Sequence, residues 1–133
     1  MPRRDMDRTE STADRRARRI AAEASVRACE MDVQSADGRT TLLISGEFDA
    51  SCVVRFERLV RAAMDDPLPL VVIDLREVTF IDSTGLALLL RTEAASRQGG
   101  FELLILRSPA PAVRSALEAS GLERLLPFVD APE

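Results

Sequence analysis

The chain has 133 residues, 46% apolar and 30% charged, with a formal net charge of −4. That is one domain's length with apolar residues enough for a packed core, and no apolar run approaches the roughly 20 residues that cross a bilayer. His, Lys, Tyr, Trp and Asn are absent and all 18 basic residues are Arg, which excludes a Ser-His-Asp triad, a Schiff-base or Walker-A lysine and any His-containing metal site.

Residues 1–28 hold eight Arg against five acids, whereas residues 29–133 hold ten Arg against seventeen acids. The first segment is therefore expected to be a polar extension, disordered or a marginal helix, with Ser11 and Asp14 resembling a capping box. It lacks the apolar stretch of a secretory signal, so the expected location is cytoplasmic. A folded part this acidic is not expected to bind nucleic acid or membrane directly. The Arg-rich extension keeps a nucleic-acid-associated role open as a rival reading. Cys29 and Cys52 are too few for a four-Cys zinc site and are expected to be buried thiols of a reduced compartment.

From Cys29 the texture changes. "CEMDVQ" and "TTLLISG" read as two strands of a hairpin around Asp37-Gly38. In "GEFDAS", Asp49 or Ser51 can cap a helix whose inner face carries Val53, Phe56, Leu59, Val60, Ala63 and Met64, ended by "DDPLP". "LVVIDL" is an aliphatic run of the kind found in a central strand covered on both faces. "REVTFID" reads as a connection to a second helix, with Leu86, Leu89, Leu90 and Ala94 as its inner face and Gly99-Gly100 as its stop. "FELLIL" is another strand. Ser108 is expected to cap a third helix with Pro109 at its first position, Val113 and Leu117 facing inward, and Gly121 at its end. "LERLLPFVD" closes the chain as a short helix or turn and a short strand. The order predicts one α/β domain over residues 29–133, a mixed β-sheet with helices packed on it, in which the two crossovers join parallel strands and the hairpin is antiparallel.

The junction Asp82-Ser83-Thr84-Gly85 admits three readings. Asp, Ser and Thr are preferred helix N-caps, so capping alone explains them. A nucleophile elbow needs Gly-x-Ser-x-Gly and a base, but Ile81 stands where the first glycine belongs and histidine is absent. A serine modified by another protein needs only an exposed hydroxyl, and a helix N-terminus tolerates a phosphate. A carboxylate acid–base pair drawn from Asp74, Asp82 or Glu47 is the remaining enzymatic option, unsupported by a glycine-rich phosphate loop or a metal-ligand cluster. The chain is not expected to be an enzyme or to bind a cofactor.

"IDLREVTFIDSTGLALLL" closely resembles the signature segment of the STAS-domain anti-sigma factor antagonists, the partner-switching anti-anti-sigma factors of bacterial stress and sporulation control. "LLISGEFDAS" is similar to the family's second strand and following turn, with Phe48 in a Leu position, and "SPAPAVRSALEASGLERLLPF" to its closing helix. The resemblance spans about residues 30–130. It implies a mixed sheet with helices on one side, and a phosphoprotein acting in transcription regulation. The unphosphorylated form would bind an anti-sigma factor that is also a serine kinase, freeing a sigma factor. That kinase, using ATP and Mg²⁺, would phosphorylate Ser83 and switch binding off, and a metal-dependent serine phosphatase would reverse it. The implied docking residues are Asp82, Ser83, Thr84, Gly85 and Leu86 with Gly46, Glu47 and Asp49. Two departures stand out: almost 28 residues precede the matching part, and Ala87 occupies a position that is often Gly. The alternative within the family is an unphosphorylated accessory or scaffold, of the lipid-transport or stressosome type.

Overall fold

Asp37 and Gly38 both take positive φ, 56° and 73°, the backbone of a two-residue primed hairpin turn whose twist matches that of the strands it joins. The computed structural model describes residues 29–65 and 69–130. The readings made on residues 1–28, and part of the "DDPLP" stop, lie outside them. The turn pairs β1 (Glu30–Ala36) with β2 (Arg39–Phe48) antiparallel, from Ala36 opposite Arg39 to Glu30 opposite Ser45. Along β2 every second residue from Thr40 to Phe48 is buried, the period-2 signature of a strand with one covered face.

Asp49 then caps a 3-10 turn (Ala50–Cys52) that leads into α1 (Val53–Asp65). β3 (Leu70–Ile81), α2 (Ser83–Gly99), β4 (Glu102–Leu106), α3 (Pro111–Ser120), a second 3-10 turn (Leu122–Arg124) and β5 (Phe128–Val129) follow. The five strands lie in sequence order, with β2–β3, β3–β4 and β4–β5 parallel. Successive right-handed crossovers advancing in one direction place their helices on one face. One core results, in which Leu42, Ile44 and Phe48 of β2 meet Ile73 and Leu75 of β3 and Leu88 and Leu89 of α2. The central strand β3 is buried on both faces over Val71–Leu75, as its mostly aliphatic run predicts. Among the described residues no helix is long and apolar enough to cross a membrane.

Several local readings need correction. "REVTFI" is not a connection but the second half of β3. Register slips between Leu43/Ser45 and Gly46/Glu47 give β3 extra residues, so it stays paired to β2 as far as Phe48–Ile81 without clean alternation. α2 buries Gly85, Leu88, Leu89, Thr92 and Ser96, leaving Leu90 40% exposed and Leu86 half-buried. The polar Thr92 and Ser96 can lie inward because their hydroxyls donate to the helix's own carbonyls of Leu88 (2.8 Å) and Glu93 (2.7 Å). Ser108 does not cap α3, which starts at Pro111 after Ala110. It is buried, donating to the Val78 carbonyl at 2.7 Å and accepting from the Ala110 N–H at 3.0 Å. Cys29 and Cys52 are buried as expected but are joined in a disulfide rather than being free thiols. The hairpin is the cause: Glu30 pairs with Ser45, so Cys29 comes beside the end of β2, and the 3-10 turn brings Cys52 back to it.

Candidate functional site

β2 and β3 end side by side, Phe48 opposite Ile81, and α2 starts two residues later. Asp82 is the N-cap. Its backbone is extended, its Oδ1 accepts from the Gly85 N–H at 3.0 Å and its carbonyl from the Leu86 N–H at 3.0 Å. Its own N–H donates to the Phe48 carbonyl at 3.4 Å, fastening the first turn of α2 to the end of β2. Gly85 makes that approach possible. A Cβ there would overlap the Phe48 carbonyl oxygen and stand 2.8 Å from Ile81 Cγ1. The capping role belongs to Asp82 and not to Ser83 or Thr84.

The two hydroxyls differ. Ser83 is exposed at the first helical position and its Oγ forms no hydrogen bond among the described residues, whereas Thr84 is half-buried. On the β2 side, Gly46 has φ of 85° and is buried, and its carbonyl accepts from Thr79 Oγ1 at 3.3 Å. Asp49 Oδ1 accepts from the Ser51 N–H (3.0 Å) and Oγ (2.6 Å), holding the 3-10 turn beside the start of α2. Gly46, Glu47, Asp49, Asp82, Ser83, Thr84, Gly85 and Leu86 are thus gathered at one end of the β2–β3 pair and the start of α2.

Exposed apolar residues border this place, and the sequence reading missed them. Leu90 follows Ser83 by seven residues with Leu86 and Ala87 between, so the outward stripe of α2 runs from an exposed hydroxyl into aliphatic surface. Val54, at the start of α1, is 68% exposed, and Phe80, beside Glu47 in the register, is 43% exposed. Phase hid the stripe: "LALLL" is apolar all round, and the inward face is marked by Thr92 and Ser96, which a hydrophobicity count does not weigh.

Asp74 is not part of this cluster. It sits eight residues before Asp82 on β3, on the order of 20 Å along the strand, so the two do not form an acid–base pair. Burial alone would raise the Asp74 carboxyl. The hydrogen bonds from the Arg76 side chain and N–H, together with the guanidinium charge, outweigh burial and hold it below its ordinary value. A depression of about 790 Å³ lined by Arg76, Glu77, Arg107, Ser108 and Arg114 contains none of the Ser83 cluster. Two of its arginines are committed, Arg76 to Asp74 at 2.7 Å and Arg107 to Glu123 and Asp130 at 2.7 and 3.0 Å.

The family model described as "Mlab, STAS domain" matches residues 31–127, and the chain belongs to the STAS domain family. Its fold is that of solved anti-sigma factor antagonists. One from Mycobacterium paratuberculosis is 27% identical, with a TM-score of 0.70 over 78% of this chain and 87% of that one. A putative antagonist from Thermotoga maritima is 19% identical, with a TM-score of 0.67 over 76% and 86%. The Bacillus cell fate determinant SpoIIAA in its phosphorylated form is 20% identical, with a TM-score of 0.61 over 78% and 93%. No curated protein sequence matches the chain.

Proposed function

From STAS membership and the geometry around Ser83, we propose that this chain is a cytoplasmic, non-enzymatic anti-sigma factor antagonist switched by phosphorylation of Ser83. The unphosphorylated protein binds an anti-sigma factor that is also a serine kinase, and a sigma factor is released. The kinase supplies ATP and Mg²⁺. The γ-phosphoryl group passes to Ser83 Oγ, the serine proton is lost and ADP leaves. A phosphatase of the metal-dependent serine class restores the hydroxyl. The observation that carries this reading is the exposed Ser83 hydroxyl, without a hydrogen bond among the described residues, at the head of an apolar stripe on α2, with the capping role taken by Asp82. An apolar stripe can be buried by a partner, and a phosphate of about −1.5 to −2 charges at its edge opposes that burial.

The test is intact-mass spectrometry with peptide mapping after incubation with ATP, Mg²⁺ and candidate anti-sigma kinases of the source organism. One phosphate confined to Ser83 is expected, with none on Ser83→Ala and normal uptake by Thr84→Ala. Ser83→Ala should hold the kinase continuously, whereas Ser83→Asp should bind it more weakly. Equal phosphorylation of wild type and Ser83→Ala would refute the site. The description of the matching family model as Mlab favours a second reading, an unphosphorylated STAS accessory. No phosphate from any kinase proven active on another substrate would select it.

A further inference from the structure

We propose that Cys29 and Cys52 form a reversible disulfide, a redox modification site that sets the rigidity of the surface carrying Ser83. The two cysteines are buried and their Cα atoms are 5.8 Å apart, within the range a disulfide bridges without backbone movement. Their positions are informative. Cys52 ends the 3-10 turn, its N–H donating to the Asp49 carbonyl at 2.9 Å. Asp49 adjoins Phe48, and Phe48 bears the carbonyl that accepts from Asp82 and against which Gly85 packs. Cys29 leads β1, an edge strand with six of its seven residues exposed. Edge elements with little buried area open locally at low cost. The bond ties that edge to the turn that abuts α2.

The reduced state is also provided for. Cys52 Sγ lies 3.4 Å from the Glu47 carbonyl, an acceptor within reach of a thiol at that position, so reduction leaves the Cys52 donor with a partner. The proposal rests on the cytoplasmic reading above, because in a reducing compartment a disulfide is transient and sensing rather than a permanent staple. The oxidant is a low-molecular-weight disulfide such as oxidised glutathione. One cysteine thiolate attacks its sulfur and expels one thiol, leaving a mixed disulfide. The second cysteine then displaces the second thiol. Two protein thiols become one disulfide, and the oxidant becomes two thiols carrying the two protons and two electrons. Both sulfurs are buried, so attack waits on opening of the turn, and exchange should be slower than for an exposed pair.

The test uses the full chain equilibrated in glutathione buffers from strongly reducing to oxidising. Alkylation with intact mass counts free thiols, and hydrogen exchange reads peptides covering residues 46–53 and 81–88. The expected result is interconversion between two thiols and none across the buffer range. Reduction should lower protection in both peptides by about tenfold or more. Cys29→Ser should exchange like the reduced protein in every buffer. Should that variant not fold, the wild-type comparison stands alone. Free thiols at every ratio would overturn the proposal, as would a bond that survives cytosol-like reducing buffer, or unchanged exchange in residues 81–88. None of these readouts uses a kinase, so failure here is distinct from failure of Ser83 to accept phosphate.

Discussion

Replacing Gly85 with Ala tests whether the close approach of α2 to β2 builds the site. The added methyl would overlap the Phe48 carbonyl oxygen, reach 3.2 Å from its carbon and 2.8 Å from Ile81 Cγ1. The first obstacle is backbone and cannot rotate away, so the helix start or the end of β2 must move. Overpacking of this kind costs about 1–3 kcal/mol. The shift also strains the Asp82 cap and the Asp82–Phe48 bond, about 1 kcal/mol more. Against this, Ala is the better helix former by about 1 kcal/mol. The net expectation is a loss of about 1–3 kcal/mol. With a urea slope of about 1–2 kcal/mol/M for a domain this size, the midpoint should fall by about 1 M at unchanged slope. Trp and Tyr are absent, so unfolding should be followed by far-ultraviolet circular dichroism. A midpoint unchanged or raised would mean that α2 does not rest on Phe48 in solution, and the assembly of the site from two segments would fall with it.

Asp82→Ala should cost about 1 kcal/mol through loss of the bond to the Gly85 N–H, while Asp82→Asn should lose only a few tenths, measured as urea midpoints. Ser108→Ala removes a buried hydroxyl bonded to Val78 and Ala110 and should cost about 1–3 kcal/mol; a neutral result would show that another group satisfies the Val78 carbonyl. Arg76→Met strips the partner from a nearly fully buried carboxylate. Because the Arg76 side chain is 47% exposed, the expected loss at pH 7 is discounted to about 1–2 kcal/mol. Asp74 titrates below its ordinary 3.8 when folded, so its contribution is full above the unfolded value and disappears as pH falls through the lower folded value. The gap between wild type and variant should therefore close below about pH 4, and a gap constant with pH would contradict the pairing.

The architecture was legible because its signals are local and redundant. Asp37-Gly38 is a primed-turn pair that takes positive φ, "LVVIDL" has the pattern of a strand covered on both faces or lying centrally in a sheet, and Gly100 and Gly121 stop their helices in the left-handed region. What failed depended on neighbours absent from any local window. The bulges of β3 are defined by its register with β2, so "REVTFI" shows no strand period by itself. The inner face of α2 is set by which side meets the sheet, and Thr92 and Ser96 satisfy themselves there at no visible cost. Ser108 looked like a cap because serine before proline usually is one, but its hydroxyl is taken by a strand carbonyl thirty residues away. The Cys29–Cys52 pairing follows from hairpin register and a 3-10 turn together, neither of which spacing reveals.

Asp82, Ser83 and Gly85 divide the work at one helix start, and the division explains why a phosphate there could be tolerable to the fold yet decisive at an interface. The Gly85 and Leu86 N–H groups already bond to Asp82, which leaves those of Ser83 and Thr84 as first-turn donors outside the intrahelical ladder. A phosphate at this end gains about 0.3–1 kcal/mol from the helix dipole. It loses more, about 1.5–2 kcal/mol in water at some 4 Å for its −1.5 to −2 charges, to the carboxylate of the adjacent Asp82. The net cost to the free domain is about 1 kcal/mol, small against the stability of a folded domain. A partner seated over Ser83 and the Leu86–Leu90 stripe meets a different balance. It must remove water from a near-dianion beside carboxylates, with no arginine or lysine in the first turn of α2 to pair it. That penalty runs to several kcal/mol and falls on the bound state alone. A modification that costs the free protein about 1 kcal/mol and the complex several shifts binding far more than stability, which is why Ser83→Asp, with its single charge, should keep nearly the wild-type urea midpoint while losing affinity for the proposed kinase partner.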